Sequence, residues 1–268
     1  MKLVTFGDSW VWGDEITPAT NEYRNSVNIG GLVYKDYQFT DYINYANNGA
    51  SNDRILLQIL EYKKSKYYSA EDFIMVGLSS PIRNVKYLNG YNTVLTLPAN
   101  DINQLPEEYV DNSDFLRYFK DDVKWGINNR NDLVRYCQNI FAIKSLLSSN
   151  KKYIVWQSID DIHELYKNIE FNFHEIHLHH DFNNTTITHD STIFFEKDVI
   201  ENLLYQDLEK TQVWINFKEK SWFKFLEEKF HESNGKFKPM IGYGLHPNEI
   251  GIKFWYDNIL NTYIKNIL

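Results

Sequence analysis

Three short apolar runs stop abruptly, and where they stop constrains the fold more than any other feature. Leu3-Val4-Thr5-Phe6 ends at Gly7, Tyr42-Ile43-Asn44-Tyr45-Ala46 at Asn47-Asn48-Gly49, and Asp72-Phe73-Ile74-Met75-Val76 at Gly77. Short, nearly continuous apolar runs are what a strand buried on both faces requires. A fourth run is Lys152-Tyr153-Ile154-Val155-Trp156-Gln157. Between the second and third lies a helical pattern. Ser51 or Asn52 caps it, Asp53 favours its positive end, and Ile55, Leu56, Ile59 and Leu60 form its stripe. Residues 131–149 read as an amphipathic helix, and 218–232 return to helical spacing through Trp222, Phe225, Leu226 and Phe230. The last helix opens at His246-Pro247-Asn248-Glu249, with His246 as its cap, Pro247 at the first helical position and Glu249 at the third. Residues 10–41 have weak periodicity and contain Gly30-Gly31, so they read as loop with a short helix. Strands alternating with helices predict an α/β fold, a three-layer αβα sandwich around a parallel sheet. Chemistry in such folds sits at the carboxyl ends of the strands.

The length, 268 residues, suits a single domain over 1–268 with two insertions, at about 78–130 and about 158–217. The net charge of -8 is spread rather than blocked, which excludes nucleic-acid binding through a basic face. Cys137, the one cysteine, cannot form an intramolecular disulfide and falls in an apolar helical pattern, so it reads as a small buried side chain. A candidate motif begins at residue 7, leaving no room for a cleavable leader, and no apolar run reaches transmembrane length. These features imply a cytoplasmic protein without a membrane partner. The many aromatics, 19 Tyr, 17 Phe and 7 Trp, serve either a core or stacking platforms.

Acyl transfer by serine needs an exposed hydroxyl, a neutral imidazole and N–H donors for the oxyanion. Ser9 follows the first strand through a glycine, His246 supplies an imidazole at a helix start, and turns after the second and third strands could supply donors. Gly7-Asp8-Ser9, Asn47-Asn48-Gly49-Ala50-Ser51-Asn52-Asp53 and His246-Pro247-Asn248, in that order along the chain, resemble the SGNH/GDSL hydrolases. These are serine esterases, lipases and carbohydrate deacetylases on a flavodoxin-like αβα sandwich. The resemblance implies Ser9 as nucleophile, His246 as base, and an oxyanion hole made by the N–H groups of Ser9 and Asn52 with a side chain at Ser79. Asp8, Gly49 and Asp53 would support the site. No cofactor is implied, and the substrate would be an ester, of a small molecule or a glycan.

The sequence departs from the family pattern in three places. Asn52 stands where the family's second block has a glycine, a position that a residue tolerant of positive φ could fill. Ser79 stands where the third block has Asn. Tyr243 stands where the triad acid is expected, three residues before His246. A backbone carbonyl could orient the ring instead, giving a Ser–His dyad, or Asp160 or Asp161 could replace the acid. This implies weak activity, or activity confined to reactive esters. Trp10 and Trp12 flank Ser9 and read equally as pocket wall or core, and Arg83 as an anion contact or a structural ion pair. The histidines of His174-Glu175-Ile176-His177-Leu178-His179-His180 could pair on a helix (His174 with His177) or on a strand (His177 with His179). No second ligand group of fixed spacing accompanies them, so no metal is assigned. The rival reading is a binding module for glycans or another partner, with the same fold and a degraded site.

Overall fold

The structure, a computed structural model, describes residues 1–81, 83–88, 93–97, 129–159, 172–181, 184–194, 212–215, 221–233, 240–242 and 246–268. In chain order the described elements begin with β1 (Leu3–Phe6), α1 (Ser9–Trp12), α2 (Asn21–Val27), α3 (Ile29–Asp36), β2 (Tyr42–Asn44), α4 (Asn52–Lys64) and β3 (Phe73–Leu78). There follow β4 (Asn84–Leu88), β5 (Thr93–Leu97), α5 (Asn129–Leu147), β6 (Lys152–Gln157), β7 (Asn172–Asp181), β8 (Asn184–Phe194) and β9 (Gln212–Trp214). The chain closes with α6 (Trp222–Glu232), α7 (Glu249–Trp255), a π-helical turn (Tyr256–Leu260) and α8 (Asn261–Ile267).

Five strands form one parallel sheet in the order β2-β1-β3-β6-β9. Numbered within the sheet alone this is 2-1-3-4-5, the flavodoxin-like order. Alternation along the strands separates two cores. Leu3, Phe73, Met75, Ile154 and Trp156 pack with α3, α6, α7 and α8 on one face. Val4, Phe6, Ile74, Val76, Tyr153 and Val155 pack with α4 and α5 on the other. The three-layer αβα sandwich expected from the sequence is therefore present. Cys137 lies on the α4–α5 side, 7 % exposed, and burial pushes its thiol up to about 11, as an inert core residue requires. No described helix is long and apolar enough to cross a membrane.

Three expectations need correction. Residues 10–41 form three helices rather than loop with one. Thr20 accepts from Tyr23 N–H and caps α2, while Asn28 accepts from Gly31 N–H and caps α3. Gly30 and Gly31 lie inside α3 because neighbours press on it: a Cβ on Gly30 would stand 2.3 Å from the Tyr42 hydroxyl oxygen, and one on Gly31 2.2 Å from the Asn25 carbonyl oxygen. Gln212–Trp214, read as part of the second insertion, is the fifth strand of the sheet, with Tyr153 opposite Gln212. The histidine-rich run is the extended strand β7, paired antiparallel with β8 so that His177 stands opposite His189. The helical pairing of His174 with His177 therefore does not occur.

Glycine stands at the carboxyl end of both strands, Gly7 just after β1 and Gly77 next to last in β3, for one reason. A Cβ on Gly7 would come within 2.3 Å of Val11 Cγ2, and so would a Cβ on Gly77. Without side chains at these two positions, α1 seats Val11 directly on the carboxyl ends of β1 and β3. Ser9 is thereby fixed above the middle of the sheet.

Candidate active site

The site is assembled from the ends of β1 and β3 and two distant loops. Asp8 caps α1, its Oδ1 accepting from Trp10 N–H at 3.0 Å, and Ser9 is the first helical residue. His246 is held by a short antiparallel bridge between Ile241 and Pro247. Gly242 N–H donates to His246 O at 2.7 Å, and Asn248 N–H to Met240 O at 3.1 Å. This loop brings His246 Nε2 to 2.7 Å from Ser9 Oγ, across 237 residues of sequence. The Trp10 ring lies 6.4 Å from the His246 ring, centroid to centroid.

His246 is not the cap of the last helix. Asn248 fills that position, its side chain accepting from Gly251 N–H at 3.1 Å, and Glu249 is the first helical residue. Pro247 sits in the bridge instead. His246 thus lies two residues outside the cap, and its placement comes from the bridge rather than from the helix dipole.

The donors expected from the second and third blocks are arranged differently from the sequence reading. Asn52 is the first residue of α4, behind the cap Ser51, so it has helical backbone and needs no positive φ. Its N–H, like that of Ser9, stands at a position with no acceptor within its own helix. The Asn52 side chain clasps the peptide of Ser79. Nδ2 donates to Ser79 O at 2.9 Å, and Oδ1 accepts from Ser79 N–H at 2.9 Å. Ser79 Oγ in turn accepts from Arg83 Nη1 at 3.2 Å.

Asp8 and Arg83 form the polar floor beside Ser9. Asp8 is fully buried and Arg83 Nη1 lies 3.5 Å from its Oδ2. Burial pushes the Asp8 carboxyl up to about 6, against the opposing pull of the Arg83 guanidinium, the Trp10 and Val11 N–H groups and the Ser79 hydroxyl. Arg83 is therefore an ion-pair partner of Asp8. Gly49 takes φ +70 in the turn before α4. Asp53 turns toward α5, accepting from Asn139 Nδ2 at 3.0 Å with Arg135 Nε 3.9 Å away, so it ties two helices together.

The two tryptophans separate. Trp10 is 2 % exposed and meets Trp222 and Phe223 edge-on, at 5.3 and 5.7 Å, as core. Trp12 is half-buried and carries the Arg24 guanidinium 3.7 Å over its ring. Tyr243, Asp160 and Asp161 lie outside the described residues.

One residue at the site was missed in the sequence. Asp14 Oδ2 stands 3.8 Å from His246 Nδ1, and Asp14 Oδ1 accepts from Asn48 Nδ2 at 3.1 Å. Gly13, with φ 86, closes α1 and turns the chain back, so that both Gly13 and Asp14 N–H donate to Ser9 O. The signal available was the left-handed cap glycine followed by an acid, which says that the chain reverses there but not what it meets.

No protein-family model and no curated protein matches the sequence. Among solved structures, the chain is similar to a member of the lipolytic protein G-D-S-L family from Veillonella parvula DSM 2008, at 13% identity and a TM-score of 0.49, covering 98% of each chain. It is also similar to the lipase Lip_vut3 from a goat rumen metagenome, at 10% identity and a TM-score of 0.42, covering 98% of this chain and 97% of that one. Likenesses this loose transfer no residue and no substrate. The sheet order and the three layers, read from this structure itself, are those of a flavodoxin-like αβα sandwich, the architecture that the SGNH/GDSL resemblance implied.

Proposed function

We propose that the protein is a serine esterase acting on a small acyl ester, such as an O-acetyl group on a carbohydrate. The observation that carries this reading is the 2.7 Å contact between Ser9 Oγ and His246 Nε2 at the carboxyl end of the sheet. Ser9 Oγ attacks the ester carbonyl as its proton passes to His246 Nε2. The N–H groups of Ser9 and Asn52 receive the oxyanion, while Ser79 contributes through the peptide that holds Asn52. His246 then protonates the leaving alcohol. In the second half-reaction it takes a proton from water, whose oxygen attacks the acyl-enzyme carbonyl and releases the acid and free Ser9. The polar floor of Asp8 and Arg83 beside Ser9 favours a small, polar substrate over a long acyl chain.

A second reading, a binding module with the same fold, is favoured by the complete burial of Ser9. Two measurements separate the readings. A fluorophosphonate probe is expected to label the wild type and spare Ser9→Ala. Hydrolysis of p-nitrophenyl acetate is expected to fall roughly 10³-fold or more in Ser9→Ala and in His246→Ala. Equal rates in all three proteins, with no labelling of Ser9, would leave only the binding module.

A further inference from the structure

We infer that Asp14 is the carboxylate that works with His246: a positioning residue five places after the nucleophile, on the chain reversal that follows α1. This rests on the reading of Ser9 and His246 as nucleophile and base. For Ser9 to give up its proton, His246 Nε2 must be the accepting nitrogen, which puts the ring proton on Nδ1. Nδ1 is the atom that faces Asp14 Oδ2 at 3.8 Å. A carboxylate there favours that tautomer and is attracted to the imidazolium that forms during attack. The gap exceeds a hydrogen bond, and such contacts tighten as charge develops on the ring.

Three bonds hold Asp14 in place independently of His246. Its N–H is anchored on Ser9 O at 3.1 Å, so the carboxylate and the nucleophile share one helical turn. Its Oδ1 is held by Asn48 Nδ2, which leaves Oδ2 directed at the ring. The preceding carbonyl, Gly13 O, accepts from Arg24 Nε at 3.1 Å, and Arg24 is 4 % exposed. Among the described residues, Glu15 is another acid near this loop, its carboxylate lying against Gly242. Position 243, where the resemblance placed the acid, carries a tyrosine, whereas Asp14 approaches the ring from the nucleophile's own segment.

The test is an NMR titration of the His246 ring in wild type, Asp14→Asn and Asn48→Ala, with the signal assigned by its loss in His246→Gln. It needs no turnover. Asp14→Asn is expected to lower the His246 midpoint by about half a pH unit or more, because a nearby negative charge has gone. Asn48→Ala, which frees the carboxylate without removing it, is expected to give a smaller fall. With p-nitrophenyl acetate, Asp14→Asn should lower kcat roughly 10²-fold with KM little changed, and Asp14→Glu should recover part of the loss. An unmoved His246 midpoint in Asp14→Asn overturns the inference, whatever the rate does. If Asp14→Asn does not fold, an unmoved midpoint in Asn48→Ala overturns it. If Ser9→Ala keeps the wild-type rate, the esterase reading fails, and the titration still decides whether Asp14 addresses His246.

Discussion

The two ends of α1 solve the same problem with opposite chemistry. Each must hold Ser9 rigidly, and each uses one arginine. At the amino end, Arg83 meets the buried carboxylate of Asp8 and the hydroxyl of Ser79. At the carboxyl end, Arg24 meets a backbone carbonyl, Gly13 O, and the face of Trp12. Both choices suit the helix: an acid at its positive end, a cation at its negative end. The carboxylates differ more than the arginines. Asp8 is sealed from water and spent on capping, whereas Asp14 is 28% exposed, spared by the fold and directed at His246. The comparison teaches that an acid next to the nucleophile in sequence can be scaffold, while one a helical turn away can face the base.

The largest effect expected from this contrast is a pH dependence of stability that belongs to Asp8. Its folded-state pKa of about 6 lies above the unfolded value of 3.8, so between these pH values the native state binds more protons than the unfolded chain. The contribution of Asp8 is therefore fully present below 3.8 and is lost as pH rises through about 6. Roughly two units correspond to about 3 kcal/mol. Asp8→Asn keeps a capping side chain and removes the titration. Urea unfolding of wild type and Asp8→Asn at pH 4 and pH 7 should show the difference between them moving in favour of the variant by about 2–3 kcal/mol at the higher pH. A constant difference would mean that Arg83 fully compensates the buried charge, and the two ends of α1 would then be alike.

Breaking the other end should cost somewhat less. Arg24→Met keeps the length of the side chain but leaves Gly13 O and the Trp12 face without their cation. A buried hydrogen bond to a charged group contributes about 1.5–3 kcal/mol, so a loss of about 2 kcal/mol is expected by urea unfolding. Because Gly13 precedes Asp14, the esterase rate should fall as well, in the same direction as in Asn48→Ala. A stability loss with an unaltered rate would show that the Gly13 turn holds Asp14 without help from Arg24.

The contrast between the two ends also explains what was legible in the sequence. β1, β3 and β6 are buried runs of apolar residues, and such strands announce themselves. β9 is three residues long and gives no periodicity to read. α2 and α3 were hidden because their evidence was capping chemistry, Thr20 and Asn28, and because Gly30-Gly31 reads as a loop until Tyr42 is known to press against it. Ser9 and His246 could be found from local motifs. The clasp of Asn52 on Ser79 could not, since it joins side chain to backbone across 27 positions. Asp14 could not either: its role depends on where residue 246 arrives, which is a property of the folded chain.

The smallest expected effect is the most discriminating. Asp14 is partly exposed, and its approach to His246 at 3.8 Å is open to solvent screening. Its loss removes one hydrogen bond from Asn48, a residue that water can solvate instead. Asp14→Asn should therefore unfold within about 0.5 kcal/mol of the wild type, measured at pH 7 in urea. Asp14→Asn nevertheless carries the large expected loss in kcat, so stability and rate must come apart in this one variant. A stability loss of about 2 kcal/mol would place Asp14 with Asp8, as a brace for α1, and would trace any fall in rate to a loosened Ser9. Near-native stability, with the rate lost and the His246 midpoint moved, is the combination that only a carboxylate acting through the imidazole produces.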